Sequence, residues 1–331
     1  MTIQDTDITF VVQGPVSRKA GAETVDTVAS IRRLFPRSPI VLSTWEGADC
    51  TGIVVDHLIN SPDPGPIRYE TDGLTMTNNV NRQIVSTRAG LATVQTPYAA
   101  KLRSDAEVTG RGFTALAASF PARLEASRVF EQRIVLSKQF TRSPRSFVPM
   151  AYHPSDLFQF GLTRDLRSYW DADLLIGDAL DQSMLDQPPA VWFRMFDRFR
   201  YTTEQYLFLS VLNRMGFTPH LNHYAEIDDR IIADSEQFLF NNFIPCDPDA
   251  LGVDHQRFRQ RAQKSLAEDC LGLREFIAWY LEEPVGLRSK ALVGTAAPHM
   301  TLMLRAERVA REMLKRNPLM RRIYAGRFLK R

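Results

Sequence analysis

In Lys101-Leu102-Arg103-Ser104-Asp105-Ala106-Glu107, two cations and two carboxylates alternate directly after an apolar run. Asp105 and Glu107 are oxygen donors of the kind a hard divalent cation, Mn²⁺ or Mg²⁺, prefers. Such a cation offsets the negative charge that develops on a departing diphosphate. Arg103 offers a second route to the same end, because a guanidinium binds phosphate bidentately without a metal. Lys101 is placed to stabilise a leaving phosphate or to anchor the acidic loop by pairing. The plainer alternative is four exposed ion-pairing side chains, each worth little.

Three further segments bear on the choice. Gln13-Gly14-Pro15 ends an apolar run; Gly14 would let the backbone approach a ligand, and Gln13 offers both donor and acceptor to a base or ribose. Thr77-Asn78-Asn79-Val80-Asn81-Arg82-Gln83 reads as a helix start. Helix N-termini attract phosphate, so Asn78, Asn81 and Arg82 are candidate ligands, with ordinary capping as the alternative. Glu204, in the first turn of a later helix, is a candidate general base for an acceptor hydroxyl, although the helix dipole alone favours Glu there. Asp156 is a candidate for sugar-hydroxyl recognition or simply part of a Pro-Ser-Asp turn. Asp56, assigned to a third strand, is a candidate for the base or ribose, and His223 for a late metal ligand.

These residues need elements to hold them. Ile8 to Val12, Ile40 to Thr44, Ile53 to Ile59 and Tyr98 to Leu102 read as strands, and Thr24 to Leu34 as a helix stopped by Pro36. Asn60 to Met76 reads as loop, and a helix runs from about Thr77 to Val94 with Val80, Ile84 and Leu91 inward. Further strands are expected at Ile134 to Leu136 and Leu157 to Gly161, and a helix from Thr202 to Gly216 opened by the Thr202/Gln205 capping box. Strands alternating with helices predict an α/β, mostly parallel sheet, whose ligands lie outside the carboxyl ends of the strands. From about Gln256 the chain reads as helical, so residues 1–250 are expected to form the α/β domain and 251–331 a helical extension.

Composition narrows the classes. With 44% hydrophobic and 24% charged residues the chain is globular, and its apolar runs are too short to span a membrane. Cys50, Cys246 and Cys270 lie far apart, which argues against a disulfide framework or zinc cluster and for a reducing compartment. No secretory signal is visible, so a cytoplasmic location is expected. Met303 to Arg331 holds ten Lys/Arg against two Asp/Glu on a mildly acidic body. Such a tail suits peripheral contact with an anionic inner-membrane surface, or else a solvated helix; nucleic acid is not an expected partner.

Several blocks together carry a family likeness: Val11-Val12-Gln13-Gly14-Pro15-Val16, Ile31-Arg32-Arg33-Leu34-Phe35-Pro36, Ile40 to Gly47, Asn79 to Thr87, Lys101 to Asp105, His153-Pro154-Ser155-Asp156-Leu157-Phe158 with Gly161, and Glu204-Gln205-Tyr206-Leu207. In that order they resemble the WavE lipopolysaccharide synthesis family. The resemblance implies a GT-A-like (Rossmann-type) fold and a glycosyltransferase of surface-polysaccharide assembly, with a nucleotide-sugar donor and a glycan or lipid-linked acceptor. It places Arg103 where GT-A enzymes carry the first metal-loop Asp, and Gln205 where the usual catalytic Asp stands. The site so implied has Gln13, Gly14, Pro15, Asp56, Asn78, Asn81, Arg82, Lys101 and Arg103 on the donor, Asp105 and Glu107 on a metal, and Glu204 with Asp156 as catalytic carboxylates. The rival reading is a non-catalytic nucleotide-sugar binder or a membrane-surface scaffold.

Overall fold

The computed structural model describes residues 2–71, 74–189, 198–219, 221–255 and 269–287. The basic tail, Met303 to Arg331, and much of the helical extension expected after Gln256 lie outside those residues.

Two apolar strands open the chain, Ile8–Gln13 (β1) and Ile40–Trp45 (β2), joined by the helix Thr24–Leu34 (α1). His57–Ser61 (β3) follows, then a hairpin of Ile67–Thr71 (β4) and Leu74–Asn78 (β5), and the helix Val80–Ala92 (α2). Tyr98–Arg103 (β6) leads into Glu107–Val108 (β7), Gly112–Ala117 (α3) and Ile134–Ser137 (β8). Next come Phe158–Leu162 (β9), Thr163–Trp170 (α4), Gly177–Ser183 (α5) and Thr203–Arg214 (α6). Asp229–Asn242 (α7), Phe243–Cys246 (β10), Pro248–Leu251 (α8), Val253–Asp254 (β11) and Leu273–Glu282 (α9) complete the described elements.

Seven strands form one sheet in the order β10-β8-β9-β6-β1-β2-β3. All neighbours are parallel except at β9, which runs antiparallel to both β6 and β8. This mixed, mostly parallel sheet flanked by helices is the α/β, GT-A-like architecture expected. Its central strands are apolar on both faces, as a sheet covered on both sides requires.

Register assigns the faces. Val11 and Gln13 stand beside Lys101 and Arg103, so these four side chains share a face. Helix α2 covers it closely: a methyl on Gly90 would sit 2.5 Å from Val11 Cγ1 and 3.0 Å from Ser43 Cβ, an approach only glycine permits. The opposite face packs Phe10, Phe35, Phe113, Phe158 and Phe160 into a ring cluster with centroids 4.8–5.5 Å apart in its closest pairs. Each fully buried ring contributes about 1.5–3 kcal/mol, so this layer fixes the strands that carry the polar face.

Two sequence expectations need correction. The third strand is His57–Ser61 rather than Ile53 to Ile59, because Asp56 accepts the Ile40 N–H at 2.7 Å and the ladder starts only after it. The supposed loop of Asn60 to Met76 contains the β4–β5 hairpin. Its arms are rich in Thr, Tyr and Ile around Asp72-Gly73, a two-residue turn dipeptide; positions 72–73 themselves lie outside the described residues. Described residues past 250 pack against the α/β body. Val253 pairs with Val108, and Phe276 of α9 packs on Phe120 with ring centroids 4.9 Å apart.

Candidate functional site

The site is built where β1, β2 and β6 end. Gly14 follows β1 with φ +113°, a conformation L side chains rarely adopt. Its N–H donates to Ser43 O at 3.0 Å, while Ser104 N donates to Gln13 O at 3.0 Å, so the turns after β1 and β6 are tied together. Ser104 Oγ also donates to Pro15 O at 2.6 Å, and the hydroxyls of Thr24 and Thr27 donate to Ser104 O from the start of α1. Gln13 Oε1 accepts from Ser86 Oγ at 2.8 Å, which joins the same corner to α2.

Beside it lies the start of α2. Asn78 Oδ1 accepts the Val80 N–H at 2.8 Å, so that side chain is committed to the first N–H of the helix. Arg82 grips Asp63 with two parallel bonds, Nε to Oδ1 at 2.7 Å and Nη2 to Oδ2 at 2.5 Å, and reaches Asn79 Oδ1 at 3.2 Å. The Arg82 guanidinium holds the Asp63 carboxyl below its usual range. A guanidinium has five N–H donors, so this anchoring leaves others for a ligand. Gln13, Gly14 and Pro15, the α2 residues Arg82, Gln83 and Ser86, and Arg103 with Ser104 line one cleft of about 400 Å³. Trp45, Asp63 and Asn79 complete its wall.

Arg103 closes the cleft from β6. It holds Asp105 in a bidentate pair, Nε to Oδ1 at 2.8 Å and Nη2 to Oδ2 at 2.7 Å. Both Asp105 oxygens are therefore engaged. Glu107 turns away along α1, toward Arg33 at 3.9 Å. No group of three or more acidic, His or Cys side chains among the described residues is arranged for a metal. In the acidic turn as it stands, Asp105 is held by Arg103, whose guanidinium lines the cleft.

Behind Arg103 the polar face becomes buried and charged. Lys101, fully buried, donates to the Asp156 carbonyl and lies 4.5 Å from the Trp170 ring centroid. Burial pushes its ammonium down to about 8, opposed by the Asp156 carboxylate, with Glu204 adding a smaller pull. Glu204 follows Thr202, whose capping box with Gln205 starts α6 as the sequence predicts. Burial, then the charge of Asp156, raises the Glu204 carboxyl far above the ordinary range, so it holds its proton tightly and is a strong base once it loses it. Asp156 is itself 6% exposed and also acts on Arg103, which makes Arg103 common to the cleft and to the carboxylate cluster. Gln205 is structural: its Nε2 donates to Ala151 O and Tyr224 O, each at 2.9 Å.

Three candidates lie elsewhere. Asp56 is at the amino ends of β2 and β3, paired with Arg32, on the edge of the sheet opposite the cleft. Asn81 is buried and clamps α2 to the loop after α4, with Nδ2 donating to Leu175 O at 3.0 Å and Oδ1 accepting from Leu175 N at 2.8 Å. His223 accepts the Ala225 N–H at 3.2 Å in a turn. Sequence reasoning in turn passed over Trp45, which the carboxyl-end rule for open α/β sheets would have found at the end of β2. Asp63 sits in a Pro/Gly-rich stretch that carries no such signal.

Compared with known proteins, residues 8–292 match the family model described as WavE lipopolysaccharide synthesis. No curated protein matches the chain. Among the described residues no helix is long and apolar enough to cross a membrane.

Proposed function

This chain belongs to the WavE lipopolysaccharide synthesis family, and we propose that within that synthesis it is a glycosyltransferase moving a sugar from a nucleotide-sugar donor to a glycan acceptor. One observation carries the reading: the Gly14 turn, the start of α2 and Arg103 line a single cleft, and the Asp156 carboxylate acts on both Arg103 and Glu204.

In this mechanism Arg82 and Arg103 hold the donor diphosphate, helped by the N-terminal dipole of α2. Trp45 offers an aromatic plate to the base or ribose, and Gln13 a polar edge. Asp156 binds acceptor or donor-sugar hydroxyls. Glu204, once deprotonated, takes the proton from the acceptor hydroxyl as that oxygen bonds to the anomeric carbon. The C–O bond to the diphosphate breaks, and its electron pair leaves on the diphosphate beside Arg103. A single displacement of this kind inverts the anomeric centre.

The test is turnover. Purified full-length protein, given a panel of nucleotide-sugars and a lipopolysaccharide-derived acceptor, is expected to release nucleoside diphosphate and extend the acceptor with at least one donor. Tight donor binding with no transfer to any acceptor would favour the non-catalytic rival.

A further inference from the structure

A buried histidine beside Glu204 has no role in that mechanism. His153 Nδ1 lies 2.9 Å from Phe140 O. A carbonyl only accepts, so Nδ1 carries the proton. The His153 carbonyl is fixed as well, accepting the Arg142 N–H at 2.9 Å. The other ring nitrogen, Nε2, is 3.5 Å from Glu204 Oε2.

The backbone underlines the point. Among the described residues only two non-glycines have left-handed φ, Phe140 at 68° and Tyr152 at 51°. Phe140 supplies the carbonyl that fixes the His153 tautomer; Tyr152 immediately precedes His153. Strain of this kind persists only where the surroundings over-determine it, and here both instances converge on one imidazole.

We propose that His153 sets the protonation state of Glu204: locked as the Nδ1–H tautomer by the Phe140 carbonyl, it turns a bare, proton-accepting Nε2 toward Glu204 Oε2, so the resting site holds Glu204 as a carboxylic acid.

His153 is then a positioning residue. In the acid form the proton on Oε2 faces the bare Nε2 of the ring. When Glu204 ionises, the carboxylate faces a lone pair, which raises its affinity for the acceptor's proton. An imidazolium here is disfavoured: burial, then the Arg142 guanidinium, push His153 down to about 3. The other groups acting on Glu204 or on its neighbours are Asp156 ahead of β9, Lys101 on β6, Arg142 after β8, Tyr169 on α4 and Thr202 at the α6 cap. Asp156 works in the same direction as His153, and Arg142 and Thr202 oppose it.

The inference builds on the reading of Glu204 as base, yet its first test needs no turnover. In full-length protein with ¹⁵N-labelled histidine, His153 is expected to show a protonated Nδ1 and a bare Nε2 throughout the neutral range. The infrared spectrum should contain a protonated-carboxyl band that Glu204→Gln removes. An Nε2–H tautomer, a histidine titrating near neutrality in that position, or no such band would each overturn the proposal. In kinetics, His153→Gln, whose amide can donate to the carboxylate, is expected to move the rise of kcat/KM to lower pH by about one unit, a tenfold change in proton affinity. Loss of activity with an unmoved midpoint would mean that His153 serves packing alone. Should that variant fail to fold, the wild-type spectra still decide, and spectra as expected without turnover would sink the transferase reading only.

Discussion

Glu204→Gln is expected to cut kcat by about 10²–10⁴-fold, the range a positioned general base supplies, while donor affinity stays within about twofold. The amide is nearly isosteric, and the α6 cap belongs to Thr202 and Gln205, so the fold should survive the change. Steady-state kinetics beside calorimetric titration of the donor separate the two quantities. Equal losses in both would make Glu204 a structural residue of the first helical turn.

The pH dependence follows from the same carboxyl. Its folded value lies above the unfolded one, through burial and then Asp156. A group shifted in that direction contributes stability that is complete below the unfolded value and lost as pH rises through the folded one. A base works only after losing its proton, so kcat/KM should rise over the same interval. Activity and stability are therefore expected to move in opposite directions with rising pH, and Glu204→Gln should flatten both.

Arg103→Lys carries the second large effect. Lysine keeps one charge but loses the planar fork. Hydrogen bonds to charged groups are worth about 1.5–3 kcal/mol each, so nucleoside diphosphate affinity should fall about 10- to 150-fold. Asp105→Asn, which removes the anchor of the guanidinium but not the guanidinium itself, should cost less. Chelation with EDTA should leave turnover unchanged. If EDTA abolished activity, Mn²⁺ restored it and Asp105→Asn were the more damaging variant, the acidic turn would hold a metal after all.

How far the sequence reaches depends on how local each signal is. Continuous apolar runs such as Ile8 to Val12 and Tyr98 to Leu102 mark buried parallel strands because both of their faces are covered, and the Thr202/Gln205 box marks α6 because capping is decided within four residues. Gly14, Arg82 and Arg103 were legible as candidates because the carboxyl edge of such a sheet is where a ligand can lie. What escaped depends on distant partners. Asn81 reads as a phosphate ligand until Leu175 is seen to take both ends of its amide. Asp56 has the composition of a site residue, and only the β2–β3 register moves it to the far edge. Glu107 follows Asp105 by two residues, but the chain bends along α1 between them, which no spacing rule conveys.

A crystal structure grown with a saturating nucleoside diphosphate tests the central claim most directly. The phosphates are expected within hydrogen-bond reach of the Arg82 and Arg103 guanidiniums and the backbone after β1, with the nucleoside toward Trp45. A diphosphate seated anywhere else on the molecule, or a well-formed cleft left empty at saturation, would contradict the account.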